Sequence, residues 1–296
     1  MNSGSRKKEE KEFLKNYDRS AWPAPSLTAD IAVFSLMQEE GDAYRRDPEN
    51  KLKLLMIQRG GHPYKDLWAL PGGFCRENES IDETAARELK EETNVSEAYL
   101  EPVGMFSERE RDPRGWIVSQ AFLSLIDPAD YRLHAGSDAW KAAWFDFRIE
   151  EKEESKKADA HASSSVRTYR ILLENKEECV LSAVIRENCR CDARKETHSY
   201  QILNNEGFAF DHALIILRAV LKLRREAELS SPVLFYLLPE HFTLNQLQKV
   251  YEIVLNRPLL TANFRRKMQP FVLETEEYIT GPGHRPARLF CRNFES

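Results

Sequence analysis

No apolar run in the chain reaches the roughly 18 residues that a membrane-spanning helix needs, although 42% of its 296 residues are hydrophobic. The opening residues, with Arg6, Lys7, Lys8, Glu9 and Glu10, lack the apolar core of a secretory signal, so export is not expected. Cysteine is sparse. Five at irregular spacing argue against a disulfide scaffold and for a reducing cytosol. Cys189 and Cys191 stand too close for the usual zinc knuckle, with no second ligand pair after them, and are expected on a strand. A net charge of -5 argues against wholesale coating by nucleic acid but leaves room for one local basic face. There is no internal repeat, and the length favours two domains over one.

Carboxylate is dense between Gly72 and Val95. A glycine pair, Gly72-Gly73, leads through Glu79 to Ser80 and Glu83, whose spacing matches a capping box that starts a helix. Inside that helix Glu88 and Glu92 share a face at i,i+4, with Glu91 three residues from Glu88. Like charges on adjacent turns repel, and a hard divalent cation with oxygen ligands would offset the repulsion. The plainer alternative is a solvated acidic helix with ordinary caps.

Around this helix the pattern is strand-rich. Leu27–Leu36, Leu52–Ile57, Ala98–Phe106, Trp116–Ile126 and Trp140–Phe147 read as strands, the last with Trp144 facing one side and Phe145 and Phe147 the other. Residues 39–50 read as a polar loop. The loop Arg109–Gly115 is a turn by composition. It is either a solvated connection or a cover over the carboxylates, in which case Arg111 and Arg114 meet substrate phosphate through their guanidinium forks. Residues 149–167 are charged and serine-rich and read as an exposed linker. Short strands follow near 169–173, 180–185 and 198–203. An amphipathic helix then covers 208–228, where His212 is taken as a structural residue without chemistry.

The last 65 residues read as helix (243–254, Thr243 at the N-cap), a break at Arg257-Pro258, a short helix (261–268), and strands over 271–279 and 287–291. That is the order of a winged helix-turn-helix. Residues 232–296 carry eight Lys/Arg against six Asp/Glu, so the basic excess is confined to this end of a net-acidic chain. Arg265, Arg266 and Lys267 fall on the second helix, with His284, Arg285 and Arg288 on or near the hairpin. They are candidates for DNA phosphate contact, against the alternative of a charged face on a dimerisation module.

The spacing of Gly73, Glu79, Arg87, Glu88, Glu91 and Glu92, with Leu89 and Val95 at the apolar places, resembles the Nudix signature. Asn94 replaces the family's last glycine and tolerates the left-handed conformation next best. Phe13–Asp18, Trp68–Phe74, Arg111–Arg114, Phe264–Lys267 and Gly283–Leu289 extend the likeness to Nudix proteins with a C-terminal winged helix. This is the NrtR-like group, which includes ADP-ribose pyrophosphatase-like enzymes and transcriptional regulators. The resemblance implies an α+β chain: a Nudix α/β/α sandwich with a mixed sheet, followed by a C-terminal winged helix-turn-helix domain. The expected division is a tail or helix over 1–20, a Nudix domain over 21–229 with a β-rich insertion near 168–204, and the winged helix over 232–296.

It further implies Mg²⁺ (or Mn²⁺) held by Glu88, Glu92, the Gly72 carbonyl and Glu91, with Arg87 orienting a carboxylate and Glu79 structural. Asp138 is the candidate general base. The implied reaction is cleavage of ADP-ribose or a related nucleotide sugar. The implied alternative is a cytoplasmic, homodimeric regulator of NAD or sugar metabolism that binds the same nucleotide and operator DNA.

Overall fold

The computed structural model describes residues 3–38, 50–93, 95, 98–128, 141–159, 161–177, 179–279 and 286–295. In chain order the elements are α1 (Ser3–Asn16), β1 (Ser26–Gln38), β2 (Asn50–Gln58), β3 (Trp68–Ala69), β4 (Gly72–Phe74), α2 (Ile81–Thr93), β5 (Tyr99–Phe106) and β6 (Ile117–Ile126). They continue as β7 (Lys141–Ala158), β8 (Ala162–Glu174), β9 (Val180–Asp192), β10 (Glu196–Glu206), α3 (His212–Glu228), α4 (Leu244–Leu255), α5 (Thr261–Met268), β11 (Val272–Ile279) and β12 (Ala287–Arg292). No helix among the described residues is long and apolar enough to cross a membrane.

The ten-stranded sheet runs β10-β9-β8-β7-β2-β1-β6-β5, with β3 on β2 and β4 on β1. Parallel pairing of β1 with β6 inside an otherwise antiparallel arrangement makes the sheet mixed. Alternation along the central strands decides the layers, because successive side chains point to opposite faces. In β1, Ala29, Ile31 and Val33 enter a small core with Ala85 and Leu89 of α2, while Ala32, Phe34 and Leu36 enter the large core with α3. The two helices therefore cover opposite faces of one sheet. Trp144 packs with the α2 core and Phe145 and Phe147 with the α3 core, as their alternation predicts.

Residues 149–167 form most of a long hairpin, β7–β8, rather than the expected linker. The composition misleads because much of this hairpin carries polar side chains outward and needs little apolar burial. The ladder satisfies the backbone, and cross-strand charges pair instead: Arg167 lies 3.5 Å from Glu151, Arg186 on β9 is 3.6 Å from Glu154, and Arg148 is 3.4 Å from Glu174.

At the C-terminal end the Thr243–Gln246 capping box starts α4, and Asn256, left-handed at φ 52°, ends it ahead of Pro258. Phe242 and Phe290 exchange backbone hydrogen bonds, which ties the β11–β12 hairpin to the segment before α4. Leu247, Val250, Tyr251 and Val254 of α4 belong to the same core as Val220, Leu223 and Ala227 of α3. Arg224 donates to the Val254 carbonyl at 3.1 Å. The C-terminal module is thus seated on α3.

Candidate functional site

The glycine turn sits where nothing larger fits. A Cβ on Gly72, whose φ is 153°, would lie 2.2 Å from the Ala29 carbonyl oxygen on β1. One on Gly73 would lie 2.2 Å from Glu88 Oε1. The turn is therefore pressed between the sheet and the first carboxylate of α2. As expected from its spacing, α2 begins with Ser80 and Glu83 satisfying each other's N–H groups at 2.7 and 3.2 Å.

Arg87 organises the carboxylates. It donates to Glu79 at 2.6 and 3.0 Å, to Glu88 at 2.6 Å, to Glu91 at 3.3 Å and to the Phe74 carbonyl at 3.2 Å. The hydrogen bond from Arg87 holds the Glu79 carboxyl down at about 2. Glu92 has the opposite environment. Burial, then the neighbouring Glu88 charge, push it up to about 8 despite a hydrogen bond from the Gly72 backbone. Its Oε2 has no hydrogen-bond partner among the described residues. An orphaned carboxylate oxygen, a second carboxylate one turn away and all-oxygen donors fit a hard divalent cation.

Beside the turn lies a cleft of about 210 Å³ lined by Thr28, Asp30, Arg59, Gly72, Gly73, Phe74, Arg111, Asp112, Arg114, Phe210 and His212, among others. Its floor is a buried charge network. Arg111 grips Asp211 at 2.7 and 2.9 Å and reaches Asp30 at 3.4 Å. Asp30 also accepts from the Ser119 hydroxyl. His212 Nδ1 accepts from the Leu70 N–H at 2.8 Å, which leaves the proton on Nε2, 3.7 Å from Asp30 Oδ1. Full burial keeps this imidazole below its usual pKa, hence neutral at pH 7.

The rim is cationic and aromatic. Phe210, held at φ 52°, lies between Arg59 at 4.8 Å and Arg114 at 5.4 Å, and Arg114 also covers Phe74 at 5.0 Å. Burial works against the Asp112 carboxylate, but its hydrogen bonds from Arg114 more than offset this and hold it below the usual range. Of the two loop arginines expected to meet phosphate, Arg111 is buried and committed to carboxylates, while the Arg114 side chain is 38% exposed.

Gly72, Glu88, Glu91, Glu92, Arg111 and Arg114, expected here from the sequence, lie in this region. Asp30, Arg59, Phe210 and Asp211 join them without having been expected, and His212 is the satisfied structural residue it was expected to be. A lone Asp inside the apolar run Leu27–Leu36 was the one signal that could have exposed the floor, because a buried charge requires partners. Asp138 and Asn94 lie outside the described residues, as do His284 and Arg285. Arg265, Arg266 and Lys267 are exposed on α5, with Phe264 and Met268 buried behind them. Arg288 is engaged within its hairpin by Glu274 and Tyr278.

Comparison with known proteins assigns both ends. The NUDIX domain family matches residues 42–165, and the NrtR DNA-binding winged helix domain matches residues 234–291. The ADPR responsive transcriptional repressor NtrR of Acinetobacter baylyi is 28% identical over 288 residues, which span 95% of this chain and 87% of that protein. The ADP-ribose pyrophosphatase of Methanocaldococcus jannaschii is 40% identical over 98 residues, 33% of this chain and 57% of that protein. Shewanella oneidensis NrtR superposes with a TM-score of 0.61 at 26% identity, covering 90% of this chain and 94% of that one. The same protein complexed with a 27mer DNA gives 0.59 at 25% identity, covering 90% and 93%. The chain is a Nudix-domain protein that ends in a winged helix domain of the NrtR type.

Proposed function

We propose that this protein hydrolyses the pyrophosphate of ADP-ribose, or of a closely related nucleotide sugar, in a reaction that needs a divalent cation. The observation that carries this reading is the complete carboxylate set on α2, with Glu92 Oε2 left without a partner among the described residues, beside Glu88 and next to the glycine turn. Glu88 and Glu92, with Glu91 and the Gly72 carbonyl, would hold Mg²⁺ or Mn²⁺. Such an ion, when bound, neutralises phosphate charge and lowers the pKa of attacking water. Arg87 acts as a positioning residue, since its guanidinium fixes Glu88 and Glu91. Arg114 is the phosphate-facing arginine of the rim, and Arg111 holds the cleft wall through Asp211. Phe74 and Phe210 offer ring faces to a nucleobase or ribose. Asp138 is retained as the candidate base. The relative from M. jannaschii supports the substrate class.

The direct test is AMP release from ADP-ribose with Mg²⁺, for the wild type and Glu92→Gln. Turnover by the wild type and loss of at least about 10²-fold in the variant is expected. No turnover across a panel of nucleotide sugars would sink the reading.

A second role is favoured by one feature, the span of α3. Its N-terminal His212 and the preceding Asp211 line or brace the cleft, and near its other end Arg224 holds the α4 carbonyl of Val254 while Glu228 pairs with Arg257 at 3.3 Å. Nucleotide occupancy could thereby bias the helix-turn-helix. Under this reading the protein is a cytoplasmic regulator that binds operator DNA as a homodimer on paired half-sites, as the relation to NtrR suggests. Arg265, Arg266 and Lys267, with His284, Arg285 and Arg288 of the hairpin, would face DNA. The proposed division is a Nudix domain over 21–229 and a winged helix over 232–296. Operator binding that does not respond to ADP-ribose would exclude effector control.

A further inference from the structure

A second set of metal-type donors lies on the outermost strands of the sheet, away from the Nudix carboxylates. The register of β9 with β10 pairs Glu187 with Tyr200, Cys189 with His198 and Cys191 with Glu196. Alternation puts these side chains on the face where Leu181, Ala183 and Ile185 enter the core. The row therefore changes from apolar to donor-bearing at Glu187.

Glu187 is 3% exposed and fully engaged. It accepts from Tyr169 at 3.0 Å and Tyr200 at 2.9 Å, and it meets His198 Nδ1 at 2.8 Å. A carboxylate against Nδ1 keeps the proton there and leaves the Nε2 lone pair available, as outer-shell carboxylates do for metal-binding histidines. His198 Nε2 lies 3.4 Å from Glu196 Oε1, and Cys189 Sγ lies 3.5 Å from that same oxygen. The ligand atoms of all three side chains are within 4.8 Å of one another. Tetrahedral zinc, with bonds of about 2.0–2.3 Å, sets neighbouring ligand atoms about 3.3–3.8 Å apart. Both spacings to Glu196 Oε1 already match that geometry.

We propose that Cys189, Glu196 and His198 form a binding site for a zinc-class cation, with Glu187 orienting His198 from behind. The mixed sulfur, nitrogen and oxygen donors select a borderline-soft ion, unlike the all-oxygen set on α2. Binding releases the Cys189 thiol proton to solvent, so thiolate and Glu196 together balance the two positive charges. Three protein ligands leave a fourth position for water. The ion would clip the end of the β9–β10 hairpin across the strands.

The test is titration of the full-length, reduced, chelator-treated protein with Co²⁺, followed by Zn²⁺. One equivalent of Co²⁺ is expected to give a thiolate-to-metal charge-transfer band that Zn²⁺ abolishes. Cys189→Ser should remove the band, whereas Cys75→Ser and Cys191→Ser should keep it. Glu187→Gln should weaken binding about 10–100-fold while the band persists at saturation. Unchanged unfolding of metal-free Cys189→Ser separates lost ligation from lost folding. No band in the wild type, or a band that survives Cys189→Ser, would overturn the site and show only an ion-paired His198. Because the carboxylates on α2 offer no sulfur, either result is independent of the hydrolase reading.

Discussion

Replacing Gly73 by Ala should separate the chemistry of the glycine turn from its structural role. The new Cβ would stand 2.2 Å from Glu88 Oε1 and 2.6 Å from its Cδ, whereas an ordinary contact begins near 3.4 Å. The carboxylate must therefore retreat by about 1.2 Å, and it can, because it ends a flexible side chain. Displacement on that scale costs about 10²-fold in rate, which corresponds to about 2.7 kcal/mol of transition-state stabilisation. The fold should lose no more than the ~1–3 kcal/mol typical of overpacking. Gly72→Ala is the contrast. Its Cβ meets the Ala29 backbone oxygen at 2.2 Å from a φ of 153°, and neither side can yield cheaply. AMP release under saturating Mg²⁺ and urea unfolding should be measured for both variants. The expected pattern is a folded, poorly active Gly73→Ala and a markedly destabilised Gly72→Ala. Near-wild-type activity in Gly73→Ala, or equal stability of the two, would refute the assignment of Gly73 to a cradle for Glu88.

Three further outcomes are expected. Asp211→Ala strips the buried Arg111 guanidinium of its bidentate partner and should cost about 3 kcal/mol in urea unfolding, along with any ADP-ribose effect on operator binding. An unchanged urea midpoint would contradict the network. Replacing Arg265, Arg266 and Lys267 together by Ala should flatten the dependence of log K on log salt for operator DNA by about 2–3, and an unaltered slope would remove α5 from the interface. Burial works against the Asp146 carboxylate, but Lys53 and Lys51 more than offset this and hold its pKa below the usual range. The ion pairs therefore stabilise the fold above the ordinary carboxylate pKa of about 4 and lose that contribution as pH falls through the depressed folded value. The urea midpoint of Asp146→Asn should lie below the wild type at pH 7 and converge with it toward pH 3. A gap of equal size at both pH values would count against the pairing.

The features legible in the chain were those encoded over a few residues. The Ser80–Glu83 capping box, the i,i+4 carboxylates and the Thr243 cap are local, so spacing alone specifies them. The outer part of the β7–β8 hairpin, within residues 149–167, escaped because pattern reading looks for apolar alternation, and that part is held by a ladder and cross-strand charges. His212 is the structural residue expected, but its partners escaped for a different reason. Its meaning depends on the Leu70 amide, 142 residues away, and on Asp30 beside it.

By itself the sequence determined that a capped helix dense in carboxylates follows a tight glycine turn, and that a basic helix-turn-helix lies at the C-terminal end. Both follow from short-range periodicity and capping. Only the tertiary structure decided what surrounds the carboxylates. Packing brings Arg111 against Asp211, Phe210 between Arg59 and Arg114, and His198 against Glu187. A buried charge or a ligand atom takes its function from partners that the fold, not the neighbouring sequence, supplies.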